Sequence, residues 1–312
     1  MVRRIKNAIK RRIANFIATE SAYHFLVRDW MGKADVDVMQ YFFGLDFFRY
    51  QLRPVEPNLV HYKNVLLLAP HQDDESIGAG GLLQKLNQQG SNITIVYVTD
   101  GAQSNIPNTS AAQSVKIRFK EAQGALKNIQ CSVEKLNISN LSPAPTVKDL
   151  NHLSDIIQDS RPDLILLPWL LDLPAKHRMV NHLLVLCNRI KPIKMCEIWG
   201  YQVHNHLYPN ICIDISNEMQ EKVRMIESFK SQNTTYKAYD KITKGLNAYN
   251  AKYLNSADFA EIYFGLSKDK YLSITEHTYS SNFELVYKGA ENLHVVMEKL
   301  EQEVTGLLVT GR

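Results

Sequence analysis

The chain has 312 residues, 45% of them hydrophobic and 22% charged, with a formal net charge of +4. This is the composition of an ordinary globular protein, and the length allows one large α/β domain with appendages, or two small domains. The mild positive excess is concentrated at the amino terminus and does not argue for a nucleic-acid partner. The four cysteines, Cys131, Cys187, Cys196 and Cys212, lack the spacing of a disulfide framework or a zinc knuckle.

In residues 1–60 the first feature is Arg3, Arg4, Lys6, Lys10, Arg11 and Arg12 interleaved with Ile5, Ile9, Ile13, Phe16 and Ile17. The spacing predicts a basic amphipathic helix. Two readings stand for residues 1–20: peripheral contact with an anionic membrane surface, or docking on the chain's own domain or an oligomer partner. The aromatic run from Tyr41 to Tyr50 reads as core or packing surface. No apolar run reaches membrane-spanning length and no signal-peptide core is evident. The expected compartment is therefore the reducing cytoplasm, with association at the cytoplasmic membrane face as its variant.

Val65-Leu66-Leu67-Leu68-Ala69, closed by Pro70, reads as a strand covered on both faces, as in a parallel sheet. It ends in His71-Gln72-Asp73-Asp74-Glu75, and ligands of open α/β sheets bind just beyond the carboxyl ends of such strands. One imidazole and two adjacent carboxylates on a strand-to-helix turn can fill two roles side by side. A His nitrogen and a carboxylate oxygen suit a catalytic zinc, which takes three protein ligands and leaves one position open; the second carboxylate can act as base. Gly78, Gly80 and Gly81 fall where helix formers are preferred, which implies a helix pressed closely on the sheet or a ligand. Taken singly, a His after a strand is structural and acids at a helix start complement its dipole. Their conjunction with the strand and the glycines favours chemistry.

The string Pro70-His71-Gln72-Asp73-Asp74-Glu75, followed by Gly78 and Gly80-Gly81, resembles the signature of the PIG-L/LmbE-like deacetylases, zinc enzymes that remove the N-acetyl group from N-acetylglucosamine-type sugars. The family pattern has Pro where Gln72 stands. The resemblance implies that His71 and Asp74 bind zinc and that Asp73 is the general base. A second buried strand, Ile93 to Val98, leads to Asp100-Gly101 and completes a right-handed βαβ unit. Residues 103–114 are expected to form a loop lining the site. The helix from about Ala111 carries Arg118 and Glu121, similar to a family Arg-x-x-Glu; the pair either orients a site loop or substrate, or is simply solvated.

A helix from Val147 to Asp159 leads into the buried strand Asp163–Pro168. Asp172-Leu173-Pro174-Ala175-Lys176-His177-Arg178 then stands where the family carries a His-Pro-Asp-His-Arg motif. The match makes His177 the third zinc ligand by resemblance. The family's first His, which stabilises the developing oxyanion, falls on Pro174 and its Asp on Lys176, so one role is unassigned. His204, at the end of a strand from Glu197, is chosen over Lys176 to fill it; the bland alternative is a surface histidine beside Asn205 and His206. His182 reads as structural. Ser216 is expected to cap a helix that runs to Ser231-Gln232. Asp214-Ile215-Ser216, Lys222, Ser231-Gln232 and the segments at 245–250 and 260–264 resemble a subgroup linked to glycan biosynthesis, with Asn250 where an Arg is expected. The resemblance covers about residues 64–272. Beyond it stands a helix at 290–305 whose Leu293, Val296, Leu300 and Val304 form an apolar face.

The expected fold is therefore α/β: a Rossmann-like, mostly parallel sheet with helices on both faces and helical additions at both ends. Residues 1–60 would be the basic and aromatic extension, 61–272 the deacetylase domain, and 273–312 a helical tail packed on it. The expected function is that of a metal-dependent amidohydrolase acting on an N-acetylated amino sugar or glycoconjugate. One zinc per chain is expected, with iron(II) as the alternative ion. Two rivals are a metal-dependent phosphoesterase, which needs further acidic ligands for a second ion, and a catalytically degenerate Rossmann-like sugar-binding protein, suggested by Pro174 and Lys176.

Overall fold

The apolar run Asn64–Ala69 forms β1 in the middle of a seven-stranded sheet. Leu66 and Leu68 enter one hydrophobic layer while Val65, Leu67 and Ala69 enter the other. The period-2 pleat thus buries every side chain of a strand that shows no polar alternation. The computed structural model describes residues 54–102, 109–234 and 237–310. The basic stripe of residues 1–20, the aromatic run 41–50 and residues 103–108 of the expected loop lie outside the described residues.

Around β1 stand β2 (Asn92–Thr99), β3 (Cys131–Ile138), β4 (Leu164–Pro168), β5 (Glu197–Tyr201), β6 (Ile211–Asp214) and β7 (Ala260–Ser267), in the order β3-β2-β1-β4-β5-β7-β6. β1 pairs parallel with both β2 and β4, Leu67 lying opposite Ile95 and Leu166. Among the described residues only β7 runs antiparallel, between β5 and β6. Chain order reverses direction at β1 and β4, and a crevice opens beyond the strand ends at such a switch point. This is the expected α/β sheet.

Helices α1 (Asp74–Gln88), α2 (Ala111–Ala125) and α5 (Met219–Glu227) cover one face. On the other lie α3 (Val147–Ser160), α4 (Ala175–Ile190), α7 (Lys268–Ser281) and α9 (Glu291–Thr310). Helix α6 (Tyr239–Asn250) packs on β7, and the short α8 (Phe283–Val286) links α7 to α9. None of the described helices is long and apolar enough to cross a membrane.

The glycines of α1 answer to close approach. A Cβ at Gly78 would lie 2.2 Å from Tyr201 Cδ2, and one at Gly81 would lie 2.5 Å from Ile215 Cγ2. Beneath the same turn the buried Glu261 carboxylate accepts from the Gly81 and Leu82 amides (2.7 and 2.8 Å), from Lys222 Nζ (2.6 Å) and from the Tyr263 hydroxyl. Burial pushes the Lys222 ammonium below its usual range.

Two local expectations are corrected. Ser216 does not cap a helix: α5 begins at Met219, and the Ser216 hydroxyl donates to Asp214 Oδ1 while accepting from the Asp258 and Phe259 amides. A short hydroxyl side chain takes whichever backbone partners lie nearest, and here those belong to the chain entering β7. The same helix ends at Glu227, short of Ser231. In α9 the fully buried stripe is Leu293, Met297, Leu300 and Val304, with Val296 only half-buried on its flank, and the helix continues to Thr310.

Helix α9 packs on α4 and α3. Its Glu301 accepts from Arg189 Nη1 at 3.0 Å and faces His182 Nε2 at 3.4 Å, and His182 is enclosed by Tyr279, Phe283 and Tyr287, as its structural reading implied. The His182 contact and the Arg189 guanidinium pull the Glu301 carboxyl down from 4.5 to about 2. A depressed folded-state pKa means stabilisation that is complete above the ordinary carboxyl value and is lost as pH falls toward the folded value. The stability difference between wild type and Glu301→Gln should therefore be largest near neutrality and shrink as pH falls from about 4.5 toward about 2. Urea unfolding at a series of pH values measures it; a gap independent of pH would remove the ionised Glu301 from the docking of α9.

Candidate active site

The turn between β1 and α1 places three side chains in one crevice. Asp73 adopts φ 145° and ψ −27°, a backbone conformation rarely held by a residue with a Cβ. This twist sends the adjacent carboxylates to different partners. Asp73 Oδ1 accepts from Arg118 Nη2 at 3.2 Å, and the same guanidinium donates to the Gln72 carbonyl. Asp74 Oδ2 faces His71 Nδ1 at 3.1 Å and His177 Nε2 at 3.4 Å. Gln72 is buried, its Nε2 donating to the Thr99 carbonyl, so it ties the ends of β1 and β2 together. Gly101 must be glycine here: its φ is +70° and a Cβ would lie 2.2 Å from Gln72 Oε1.

His177 arrives from the first turn of α4, beyond β4, and is fully buried. Donor atoms of His71, Asp74 and His177 all lie within 4.8 Å of one another. The outer nitrogens of both histidines are occupied. His71 Nε2 lies 3.1 Å from Asn140 Oδ1, and His177 Nδ1 lies 2.8 Å from Asp172 Oδ2. These acceptors place the ring protons outside, leaving lone pairs on His71 Nδ1 and His177 Nε2 directed at Asp74. His177 Nε2 is buried without a hydrogen-bond partner. A buried polar nitrogen left so is costly, and a cation among two imidazoles and a carboxylate would satisfy it. The residues fit a metal.

Electrostatics differ across the turn. Burial alone would raise Asp74, but His177 and His71 hold its carboxyl well below the usual range. Burial pushes Asp73 up to about 6, with Arg118 opposing the rise, and pushes Glu75 behind it up to about 7. For His177 burial works downward, yet Asp74 and Asp172 outweigh it and hold the imidazole above its ordinary value.

The cavity at this crevice, about 180 Å³, is lined by His71, Asp73, Asp74, Arg118, His204 and Tyr239 among others. His204 thus comes to the site, its ring centroid 5.3 Å from that of His177. Burial and the neighbouring His177 push it below the usual histidine range, so near neutral pH it is an uncharged ring with one N–H to donate. Lys176 is turned away, its Nζ donating to Asn140 Oδ1 at 2.7 Å. Arg118 and Glu121 are engaged, not solvated: Glu121 accepts from the Ser231 amide and hydroxyl (2.8 and 2.6 Å), next to Gln232 on the cavity wall.

Asp172, Asn140 and Tyr239 were not singled out as site residues by sequence reasoning. For Asp172 a signal existed, since a carboxylate commonly receives the outer N–H of a ligating histidine. Asn140 and Tyr239 carry no such mark; only folding brings them in.

Asp172 Oδ1 also accepts from the backbone amides of His204 and Asn205 (3.2 and 2.9 Å). In Asp172→Asn the one remaining oxygen cannot serve both those amides and His177, and an NH₂ facing Nδ1 selects the wrong tautomer. Zinc affinity of that variant, measured by competition with a chromogenic chelator, should fall roughly 10–100-fold. An unchanged affinity would exclude Asp172 from orienting the ligand.

Residues 66–187 match the PIG-L family model, described as GlcNAc-PI de-N-acetylase. A diacetylchitobiose deacetylase of Thermococcus kodakarensis is 25% identical over 191 residues, covering 54% of this chain and 70% of the relative. Among solved structures, the N,N′-diacetylchitobiose deacetylase of Pyrococcus horikoshii aligns with a TM-score of 0.59 at 20% identity, over 74% of this chain and 92% of the other. A 4-carboxy-2-hydroxymuconate hydratase from Pseudomonas putida aligns with a TM-score of 0.58 at 18% identity, over 65% and 96% of the two chains. These structural likenesses show the fold.

Proposed function

From the match of residues 66–187 to the PIG-L family model, we propose that the protein is a metal-dependent deacetylase, hydrolysing the N-acetyl amide of an N-acetylglucosamine-containing sugar or glycoconjugate. The observation that carries the reading is the convergence of His71, Asp74 and His177 on one point with Asp73 across the same turn. Two imidazoles and a carboxylate suit zinc, with iron(II) as the alternative. Within the same proposal, residues 61–272 are the catalytic domain, the protein works in the cytoplasm, and residues 1–20 make peripheral membrane contact or dock on protein.

His71, Asp74 and His177 would hold a divalent ion, which would supply Lewis acidity toward the acetyl carbonyl and lower the pKa of water. Asp73, with its carboxyl raised to about 6, accepts a proton from the attacking water near neutral pH. It then returns that proton to the sugar nitrogen as the C–N bond breaks, yielding acetate and the free amine. Arg118 keeps Asp73 oriented. His204 donates its N–H to the carbonyl oxygen as charge develops there. A two-ion phosphoesterase is less well supported, since the described residues offer one three-ligand group. Asp73, His204, His71 and Asp74 line one cavity, and the buried His177 meets that group from behind, which favours an active enzyme over a degenerate binding protein.

Asp73→Asn keeps the size of the side chain but cannot accept the proton. It should retain its metal while acetate release falls by ~10²–10⁴; turnover within severalfold of wild type would remove Asp73 from the base role.

For the carbonyl oxygen, His204→Ala should lower kcat by roughly 10²–10³ with metal content unchanged. Lys176→Ala should act only weakly. If the two effects come out reversed, the donor is Lys176 and the assignment to His204 is wrong.

A further inference from the structure

The catalytic cavity is too small for the ligand it must serve. At about 180 Å³ it falls below the roughly 300–1,000 Å³ of pockets that bury a small-molecule ligand. It has room for the reacting end alone. A second cavity of about 410 Å³ meets it at His71, which lines both. One wall of this second cavity comes from the β4–α4 turn, through Pro174 and Lys176, and from Pro143. The facing wall comes from Ala290, Glu291 and Asn292 at the start of α9, in a part of the chain beyond the residues matched by the family. The two walls are fastened together, since Arg178 donates to the carbonyls of Asp172 and Leu173 in the turn and to that of Val286 at the end of α8.

The chemistry of this lining selects its occupant. Pro143, Pro174 and Ala290 offer apolar surface, Lys176 offers N–H donors, Glu291 an acceptor, and Asn292 both. One cation and one anion leave the pocket without a net sign that would select a phosphate or a carboxylate. A hydroxyl-bearing ring with C–H faces, which donates, accepts and stacks on apolar walls, matches all three features. We infer that this cavity is a carbohydrate subsite that holds a second sugar ring attached to the reacting one, and that residues 290–292 determine substrate length. The inference rests on the deacetylase reading for the identity of the first ring.

The experiment uses the full-length chain and compares N-acetylglucosamine with N,N′-diacetylchitobiose. Acetate release gives kcat/KM for each, and calorimetric titration of both sugars into the Asp73→Asn protein gives binding without turnover. Wild type should favour the disaccharide, and Ala290→Trp, which fills the cavity, should cut that preference roughly tenfold or more in both measurements. Asn292→Ala, at an exposed position whose truncation leaves the core intact, should reduce the preference in the same direction. Equal binding of the two sugars, or a preference unmoved by both variants, overturns the subsite. Disaccharide-selective binding lost in Ala290→Trp, with no acetate released by wild type from either sugar, upholds the subsite and overturns the deacetylase reading instead.

Discussion

The Glu261 carboxylate, buried under the middle of α1, fixes where the chemistry can occur. A carboxylate and an ammonium removed from water are expensive unless geometry and further hydrogen bonds compensate. Here Lys222, Tyr263 and two amides of α1 supply four donors to one carboxylate. Those amides are within reach only because Gly80 and Gly81 let the helix descend onto α5 and the chain before it. A helix clamped at its centre to β7 cannot shift along the sheet. Its amino end, which carries Asp73 and Asp74, is thereby held over the strand ends. Sheet edge and site are joined through a polar contact in the core, although β7 contributes no residue to the crevice.

Legibility in the sequence followed distance along the chain. β1, β2 and β4 were readable because burial on both faces leaves an uninterrupted apolar run, and the turn after β1 was readable because its histidine, acids and glycines are contiguous. His177 could be placed only by resemblance, since nothing in its neighbourhood marks a ligand. Asn140 and Tyr239 owe their positions to pairings across the sheet and to the packing of α6, which no local pattern encodes. The antiparallel insertion of β7 between β5 and β6 was equally hidden: Ala260 to Phe264 reads as a strand without showing its direction. Ser216 failed for a different reason. A serine before a helical pattern has the form of a cap, yet its hydroxyl found backbone amides from a segment some forty residues away.

The same architecture is shared with a protein named as a hydratase, so fold alone leaves the reaction open and the site decides it. In this site each histidine is held from behind. Asn140 meets His71 and also receives Lys176 and contacts the Ala102 carbonyl, so one amide couples the ends of β1, β2, β3 and α4. Lys176 acts there as a prop for a neighbour, a use of a cation that differs from direct contact with reacting atoms.

Asp172 divides its two oxygens between His177 and the backbone at His204 and Asn205. His177 and the chain segment at His204 therefore share one anchor. A tighter hydrogen bond from His177 Nδ1 bears on the same carboxylate that holds the His204 and Asn205 amides in place. By reciprocity of linked equilibria, whatever orders the chain at His204 and Asn205 favours a well-oriented His177 ring to the same degree. The orientation of His177 and the placement of His204 are thus one linked equilibrium rather than two.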